Sequence, residues 1–224
     1  MNQQIETNRN QQPSTSNNQI NKNTQLNLKS ITSSTGFKFP SIYSFPPFFT
    51  KQPNQSTWSH QSSLWQDLIR SYCKFNRIFK IELNDSIIED LELFNNRTIS
   101  RKLNLETLIS IFDLMVQNGQ AEYYPNRSAL NQPNSKLQPT FVLIYFSSLS
   151  NWSNQIYDYI LSNGLTNSIM TFNELIEIED LQLTGIDAVV LKKILNCLVK
   201  GNKAKIFKGS SDGVGGENEG IKFF

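Results

Sequence analysis

An internal repeat does most to limit what this chain can fold into. Shifting the sequence by 83 residues lays LNLETLISIFDLMVQNGQAEYY (103–124) onto IDAVVLKKILNCLVKGNKAKIF (186–207). Leu108 then meets Leu191, Ile111 meets Ile194, Phe112 meets Leu195, Met115 meets Leu198, Val116 meets Val199 and Ala121 meets Ala204. Apolar residues at such three- and four-residue intervals mark one face of a helix. Each helix runs to a glycine, Gly119 or Gly201, a residue that stops helices because it accepts left-handed backbone. Each copy then enters a short strand, QAEYY or KAKIF.

A second apolar strand follows in both copies, TFVLIYF (140–146) and GIKFF (220–224), across polar loops at 125–139 and 208–219. Each copy also begins with an amphipathic helix. In SHQSSLWQDLIRSYCKF (59–75), Leu64, Trp65, Leu68, Ile69 and Tyr72 form one stripe, and in NWSNQIYDYILSNG (151–164), Trp152, Ile156, Tyr159 and Ile160 do. Short central helices are predicted near LELFNN (91–96) and TFNELIEIED (171–180), the latter with a capping box of Thr171 and Glu174. Helix, short helix, helix and hairpin is the order of a winged helix-turn-helix. The reading is therefore an α+β chain of tandem winged helices, one over 58–146 and one over 147–224. Units this small sit near the lower limit for a self-sufficient core, which predicts tight packing between them or support from a partner.

The N-terminal 36 residues are polar and low in complexity, with scattered aliphatics, and are expected to be disordered. The next stretch, FKFPSIYSFPPFFT (37–50), opens a segment expected to extend to residue 57. It holds five Phe, one Tyr and three Pro. Pro46 and Pro47 lack an N–H and suit neither a strand nor a helix interior. Yet Phe45, Phe48 and Phe49 would each gain about 1.5–3 kcal/mol on burial. Either a partner completes that burial, or the rings fold back onto their own winged helix.

No catalytic constellation emerges. His60, near the start of a helix that Ser59 or Ser62 would cap, is the only histidine, and Cys73 and Cys197 lie dispersed in apolar helical patterns, as small buried hydrophobes of a reducing compartment. That leaves no metal-ligand cluster, no paired nucleophile and base, and no cofactor site. GSSDGVGGENEG (209–220) lacks the Gly-Lys-Ser/Thr end of a phosphate loop and reads as the tip of a wing. ELIEIED (174–180) lacks EF-hand spacing and reads as a solvated helix end. The N-terminus carries neither a secretory signal nor the glycine for myristoylation, and no apolar run reaches the ~18 residues of a membrane span. The expectation is a cytoplasmic protein without enzymatic activity.

Winged helices often bind DNA, through lysines, arginines and amides on the third helix. The third helix of the first copy, 104–118, has no Lys or Arg and carries Glu106 and Asp113. It has too many apolar residues for one stripe, so burial on two sides is expected. In the second copy, Lys192, Lys193 and Lys200, with Lys203 and Lys205 beyond, make the best case for nucleic acid. With a net charge of +2, that alternative predicts weak, strongly salt-sensitive binding. A structural winged-helix subunit of some other large complex is a third option.

From Tyr43 to Phe224 the chain resembles the smallest-subunit family of the endosomal sorting complex ESCRT-II. The matching stretches are FPPFFTKQPN (45–54), LWQDLIRSYCK (64–74), LFNN with SRKL (93–96 and 100–103), NGQAEY (118–123), NSIMTFNELIEIED (167–180) and the terminal GIKFF. The resemblance implies tandem winged helices, and a heterotetramer in which two copies of this subunit join the two other ESCRT-II core subunits. It implies that the first winged helix and the proline-aromatic motif, here Phe45, Pro46, Pro47, Phe48 and Phe49, dock onto that core, with Arg101 as an interfacial arginine. The second winged helix would bind the N-terminal helix of an ESCRT-III subunit and start polymer assembly. The process implied is sorting of ubiquitinated cargo at endosomal membranes, to which the chain would be recruited peripherally and indirectly. The earlier site FPSIY (39–43) departs from the family pattern, with Ser41 in place of a proline.

Overall fold

The computed structural model describes residues 31–84, 86–125, 140–181, 183–208 and 219–224. Residues 1–30 of the polar tail, most of the first long loop and the body of the glycine-rich loop lie outside these. Among the described residues, six α-helices and eight strands run in the order α1 (Gln55–Asn76), β1 (Lys80–Glu82), α2 (Ile87–Asp90), β2 (Asn95–Asn96), β3 (Arg101–Lys102), α3 (Leu105–Gln117), β4 (Ala121–Tyr124), β5 (Phe141–Ile144), α4 (Leu149–Ser162), β6 (Ile169–Thr171), α5 (Phe172–Glu177), α6 (Ala188–Lys200), β7 (Ala204–Lys208) and β8 (Glu219–Phe223). The two halves share one architecture, the tandem winged helix. α3 and α6 keep the 83-residue shift at both ends, and so do the first residues of β4 and β7.

Each unit closes with a three-stranded antiparallel sheet, ordered β1-β5-β4 in the first and β6-β8-β7 in the second. The hairpins β4–β5 and β7–β8 match the sequence reading. The third strands, β1 and β6, were not foreseen: at three residues each they are too short to show alternation. The central helix of the first unit also falls earlier than expected. It occupies Ile87–Asp90, while Asn95–Asn96 of LFNN pairs with Arg101–Lys102 as a small hairpin.

Local chemistry accounts for the helix ends. Asn54, rather than Ser59 or Ser62, caps α1 by accepting from the Ser56 and Thr57 N–H groups at 2.9 and 3.2 Å, which leaves His60 exposed well inside the helix. Thr171 and Glu174 form the predicted capping box of α5. Gly119 is left-handed after α3, with φ +66°. In the second copy, however, Gly201 has φ −84°, and its neighbour Asn202 takes the left-handed position at φ +55°. Asn tolerates that region because its short side chain adds little crowding there.

Two apolar clusters hold the chain. The first gathers Trp65, Leu68, Ile69, Phe94, Leu108, Ile111, Phe112, Met115, Val142 and Ile144, and the second gathers Trp152, Ile156, Ile160, Val190, Leu191, Ile194, Leu195, Ile221 and Phe223. Phe79, Leu143 and Tyr145 belong by sequence to the first unit yet pack in the second cluster. The expected tight packing of the copies is therefore realised by residues on and beside strands β1 and β5. Polar contacts seal the same seam. Lys193 Nζ reaches both carboxylate oxygens of Glu122 at 2.7 and 2.8 Å, the Tyr145 hydroxyl donates to Glu122 at 2.9 Å, and Lys80 pairs with Asp187 at 3.2 Å. Burial, with the Glu122 charge beside it, pushes the Tyr145 phenol well above its ordinary range, so it remains a donor.

Candidate partner-docking site

The proline-aromatic segment folds as two consecutive 3₁₀ turns, Ser41–Ser44 and Pro46–Phe49. Pro46 and Pro47 take the first two positions of the second turn, where a missing N–H costs nothing. The turn drives its last two rings inward. Phe48 and Phe49 are each 3% exposed. The Phe48 ring stacks on Trp65 with centroids 4.3 Å apart and planes 5° off parallel, and Phe49 meets Trp65 edge-on at 5.4 Å.

The backbone is held as firmly as the rings. The Phe48 carbonyl accepts from Trp65 Nε1 at 3.0 Å and from Gln61 Nε2 at 2.8 Å. Trp65 and Gln61 together satisfy a buried carbonyl that would cost about 1–3 kcal/mol if it were left without a donor. Of the two ways to bury these rings, the structure takes the second: Phe48 and Phe49 complete the core of their own winged helix. Their burial needs no second chain, because α1 supplies an aromatic platform and the donors that the turn lacks.

The earlier FPSIY segment is internal as well. Phe39 stacks on Tyr43 at 3.9 Å, and Phe37 packs edge-on against Tyr72 at 5.2 Å. The Tyr43 hydroxyl donates to the Glu92 carbonyl, and Asn96 Nδ2 donates to the Tyr43 carbonyl at 2.7 Å. Order begins before this segment. Thr32 pairs with Lys38 in an isolated bridge, and the Ser34 N–H donates to Glu92 at 2.9 Å, so residues 31–36 of the expected disordered tail are folded onto the first unit.

What faces outward is the other half of the motif. Pro46 and Pro47 are exposed, and Phe45 is half-buried. A concavity on this surface is lined by Pro46, Pro47, Thr50, Gln52, Ser100, Arg101 and Lys102. The structure therefore brings Arg101 beside the prolines, although Pro47, the nearer in sequence, lies 54 residues before it. The tight β2–β3 turn makes the juxtaposition. Its last residue, Ser100, holds φ +51°, a strained value for a residue with a Cβ, and delivers Arg101 exposed on β3. Arg101 makes no ion pair among the described residues, whereas the neighbouring Lys102 is engaged by Glu89. Exposed prolines beside an uncommitted guanidinium suit a partner offering an apolar ledge and a carboxylate.

The third helices face different tasks. α3 buries Leu108, Ile111, Phe112 and Met115 as a single stripe, so the expected burial on two sides does not occur. Leu105 is exposed and Ile109 half-exposed, on a helix without cations. In α6, Lys192 is bound by Glu219 at 2.7 Å and Lys193 by Glu122. Pairing withdraws two of the five lysines that made the case for nucleic acid. Among the described residues, no group of three or more His, Cys, Asp and Glu is placed to hold a metal ion, and no helix is long and apolar enough to cross a membrane. The buried Cys73 thiol is pushed far above its usual range by desolvation, which makes it inert packing.

A family model described as "ESCRT-II complex subunit" matches residues 42–189. The vacuolar protein-sorting-associated protein 25 of Xenopus laevis is 34% identical over 192 residues, covering 84% of this chain and 99% of that protein. The protein of the same name from Schizosaccharomyces pombe is 37% identical over 175 residues, covering 78% and 93%. Among solved structures, subunit VPS25 of the endosomal trafficking complex ESCRT-II superposes with a TM-score of 0.65 at 28% identity, covering 82% of this chain and 98% of that one. A chain of the endosomal complex ESCRT-II (VPS22/VPS25/VPS36) superposes with a TM-score of 0.67 at 27% identity, covering 86% and 100%.

Proposed function

The chain belongs to the vacuolar protein-sorting-associated protein 25 family of ESCRT-II subunits, and on that premise we propose that it is a non-catalytic adaptor which joins the ESCRT-II core through the Pro46–Pro47–Arg101 concavity. The observation that carries this reading is the convergence of two exposed prolines and an uncommitted arginine on one surface. Phe45 lies half-buried beside them, while Phe48 and Phe49 act from beneath by fixing the turn that presents the prolines. A turn held by Trp65 and Gln61 is already ordered before docking, which reduces the entropy lost on association.

The partners in this reading are the counterparts of VPS22 and VPS36 from the same organism, in a heterotetramer with two copies of this chain. The second unit, from α4 onward, binds the N-terminal helix of an ESCRT-III subunit and nucleates its assembly. Together these roles place the chain in endosomal sorting of ubiquitinated cargo, peripheral to the membrane. The ESCRT-III role rests on family membership alone.

The test is co-expression with the two core subunits, with the mass read by light scattering. Wild type is expected to give the heterotetramer. Arg101→Asp and Pro46→Ala/Pro47→Ala are expected to remain free while melting like wild type. Assembly undiminished in both variants would overturn the concavity as the docking site. A wild-type chain that stays monomeric would overturn the adaptor reading itself. For the ESCRT-III arm, calorimetric titration of the full chain with the synthetic N-terminal helix is expected to show binding unaffected by Arg101→Asp, and absence of heat would remove that arm.

A further inference from the structure

The cations of the second unit sort onto two faces. Two of the three lysines of α6 are neutralised, Lys192 by Glu219 and Lys193 by Glu122, and the third, Lys200, stands exposed at the helix end. The sheet β6-β8-β7 keeps its own. Its register sets Ile169 across from Lys222 and Lys222 across from Lys205, one row over all three strands. Alternation turns Ala204, Ile221 and Phe223 inward to the core. The outward positions carry Ile169, Lys205, Phe207 and Lys222, and the ends of the two longer strands add Lys203 and Phe224.

Three features of this face are unusual for mere solvated surface. Ile169 is 65% exposed, Phe224 47% and Phe207 37%, a concentration of apolar tips on one small sheet. Lys203, Lys205 and Lys222 make no ion pair among the described residues, and none of the outward positions on the described strands is an acid. Their ammonium groups lie 4.5–5.7 Å from the rings of Tyr157, Phe207 and Phe224, so charge and ring share the same ground. The backbone of Phe224 is fixed at both ends: its N–H donates to the Lys203 carbonyl at 2.9 Å and its carbonyl accepts from the Tyr157 hydroxyl at 2.6 Å. The ring is thus held out rather than merely loose. Two acids near the sheet are engaged elsewhere: Glu219 of β8 binds Lys192 of α6, and Glu174 accepts from the Thr171 N–H at the start of α5.

We propose that the outer face of the β6-β8-β7 sheet is a contact surface for an anionic lipid bilayer. The fit is one of charge and depth. Unpaired lysines meet headgroup phosphates and carboxylates, each contributing modestly and in a salt-sensitive way. Aromatic and aliphatic tips enter the interfacial layer, where rings with polar neighbours are favoured. Neither component suffices alone for stable attachment, and this sheet supplies both on one plane. An acidic polypeptide shares the charge chemistry but has no need of three projecting apolar tips.

The experiment is vesicle flotation of the full chain, using phosphatidylcholine vesicles with and without phosphatidylserine, at low and high salt. Wild type is expected to float only with phosphatidylserine vesicles and to be released by salt. Lys205→Gln/Lys222→Gln is expected to bind about thirtyfold more weakly, from the loss of two surface lysines. Ile169→Ser/Phe224→Ser, which leaves every lysine in place, is expected to weaken flotation as well. Thermal melts matching wild type establish that both variants fold. Absence of flotation, or flotation equal in wild type and the lysine variant, would overturn the proposal. If soluble polyglutamate displaces the chain from vesicles and the Ile169→Ser/Phe224→Ser variant binds like wild type, the face is an acidic-polypeptide site and the lipid assignment fails.

Discussion

Replacing Phe48 by alanine separates folding from docking. Phe48 is 3% exposed and stacks on Trp65 at 4.3 Å. Truncating a buried phenylalanine costs about 3–5 kcal/mol through lost transfer energy and the cavity left behind. The aromatic pair is part of that figure. The hydrogen bonds from Trp65 and Gln61 to the Phe48 carbonyl belong to the backbone and are retained in the variant, which favours the lower half of the range. For a chain whose two units share packing across Phe79, Leu143 and Tyr145, each kcal/mol lowers Tm by about 2–4 °C, so a cost in that lower half, about 3–4 kcal/mol, lowers it by roughly 6–16 °C. The assay is a thermal melt of the isolated chain followed by circular dichroism. Trp65 fluorescence should also change, because a stacked ring is removed from one indole face. A Phe48→Ala variant that melts within about 0.5 kcal/mol of wild type, the scatter expected of a surface change, would show that the ring is not part of this core.

Other substitutions probe separate steps of the argument. Asn54→Ala removes the α1 cap and is expected to cost about 0.5–2 kcal/mol in urea unfolding, with Asn54→Ser recovering most of it. A double-mutant cycle over Lys193→Ala and Glu122→Gln should give a coupling of roughly 0.5–1 kcal/mol, since the pair is partly solvated; zero coupling would mean that this ion pair does not help to hold the seam. Hydrogen bonds from the Thr171 N–H and hydroxyl hold the Glu174 carboxyl below its ordinary range. Its help to α5 is therefore complete above the unfolded glutamate pKa and is lost as pH falls through the depressed folded value. Carbon-detected NMR titration should find Glu174 returned only part of the way toward the ordinary glutamate range in Thr171→Val, which keeps the larger contribution from the backbone N–H, and no change there would remove the hydroxyl as a contributor.

Legibility in the sequence followed the length of the pattern. The third helices repeat their apolar stripe for thirteen residues; the first was expected over 104–118 and spans Leu105–Gln117, and the 83-residue shift carries it onto the second. Strands β1 and β6 fell below that threshold, and so did the two-residue hairpin at Asn95–Asn96, which register with distant partners creates. Phe48 and Phe49 expose a different limit. Their cost in water was readable, but the acceptor of that surface was not, because Trp65 and Gln61 become a platform and a donor only when α1 lies under the turn. The same long-range closure makes the candidate site. Pro46 and Arg101 were each singled out along the chain, yet nothing local joins them. The join comes from the left-handed Ser100, a residue no propensity would choose for that backbone, which turns β3 so that Arg101 stands over the prolines. Backbone strain of this kind persists only where surrounding structure fixes it, and here the fixing contacts lie in the turn itself, where Asn96 Oδ1 accepts from the Thr98 N–H at 3.1 Å. Asn96 is in turn buried against the Tyr43 carbonyl. One asparagine thus ties the aromatic segment to the loop that carries the arginine, which makes Asn96, quoted in the sequence only as the end of LFNN, the residue that links the two halves of the candidate docking surface.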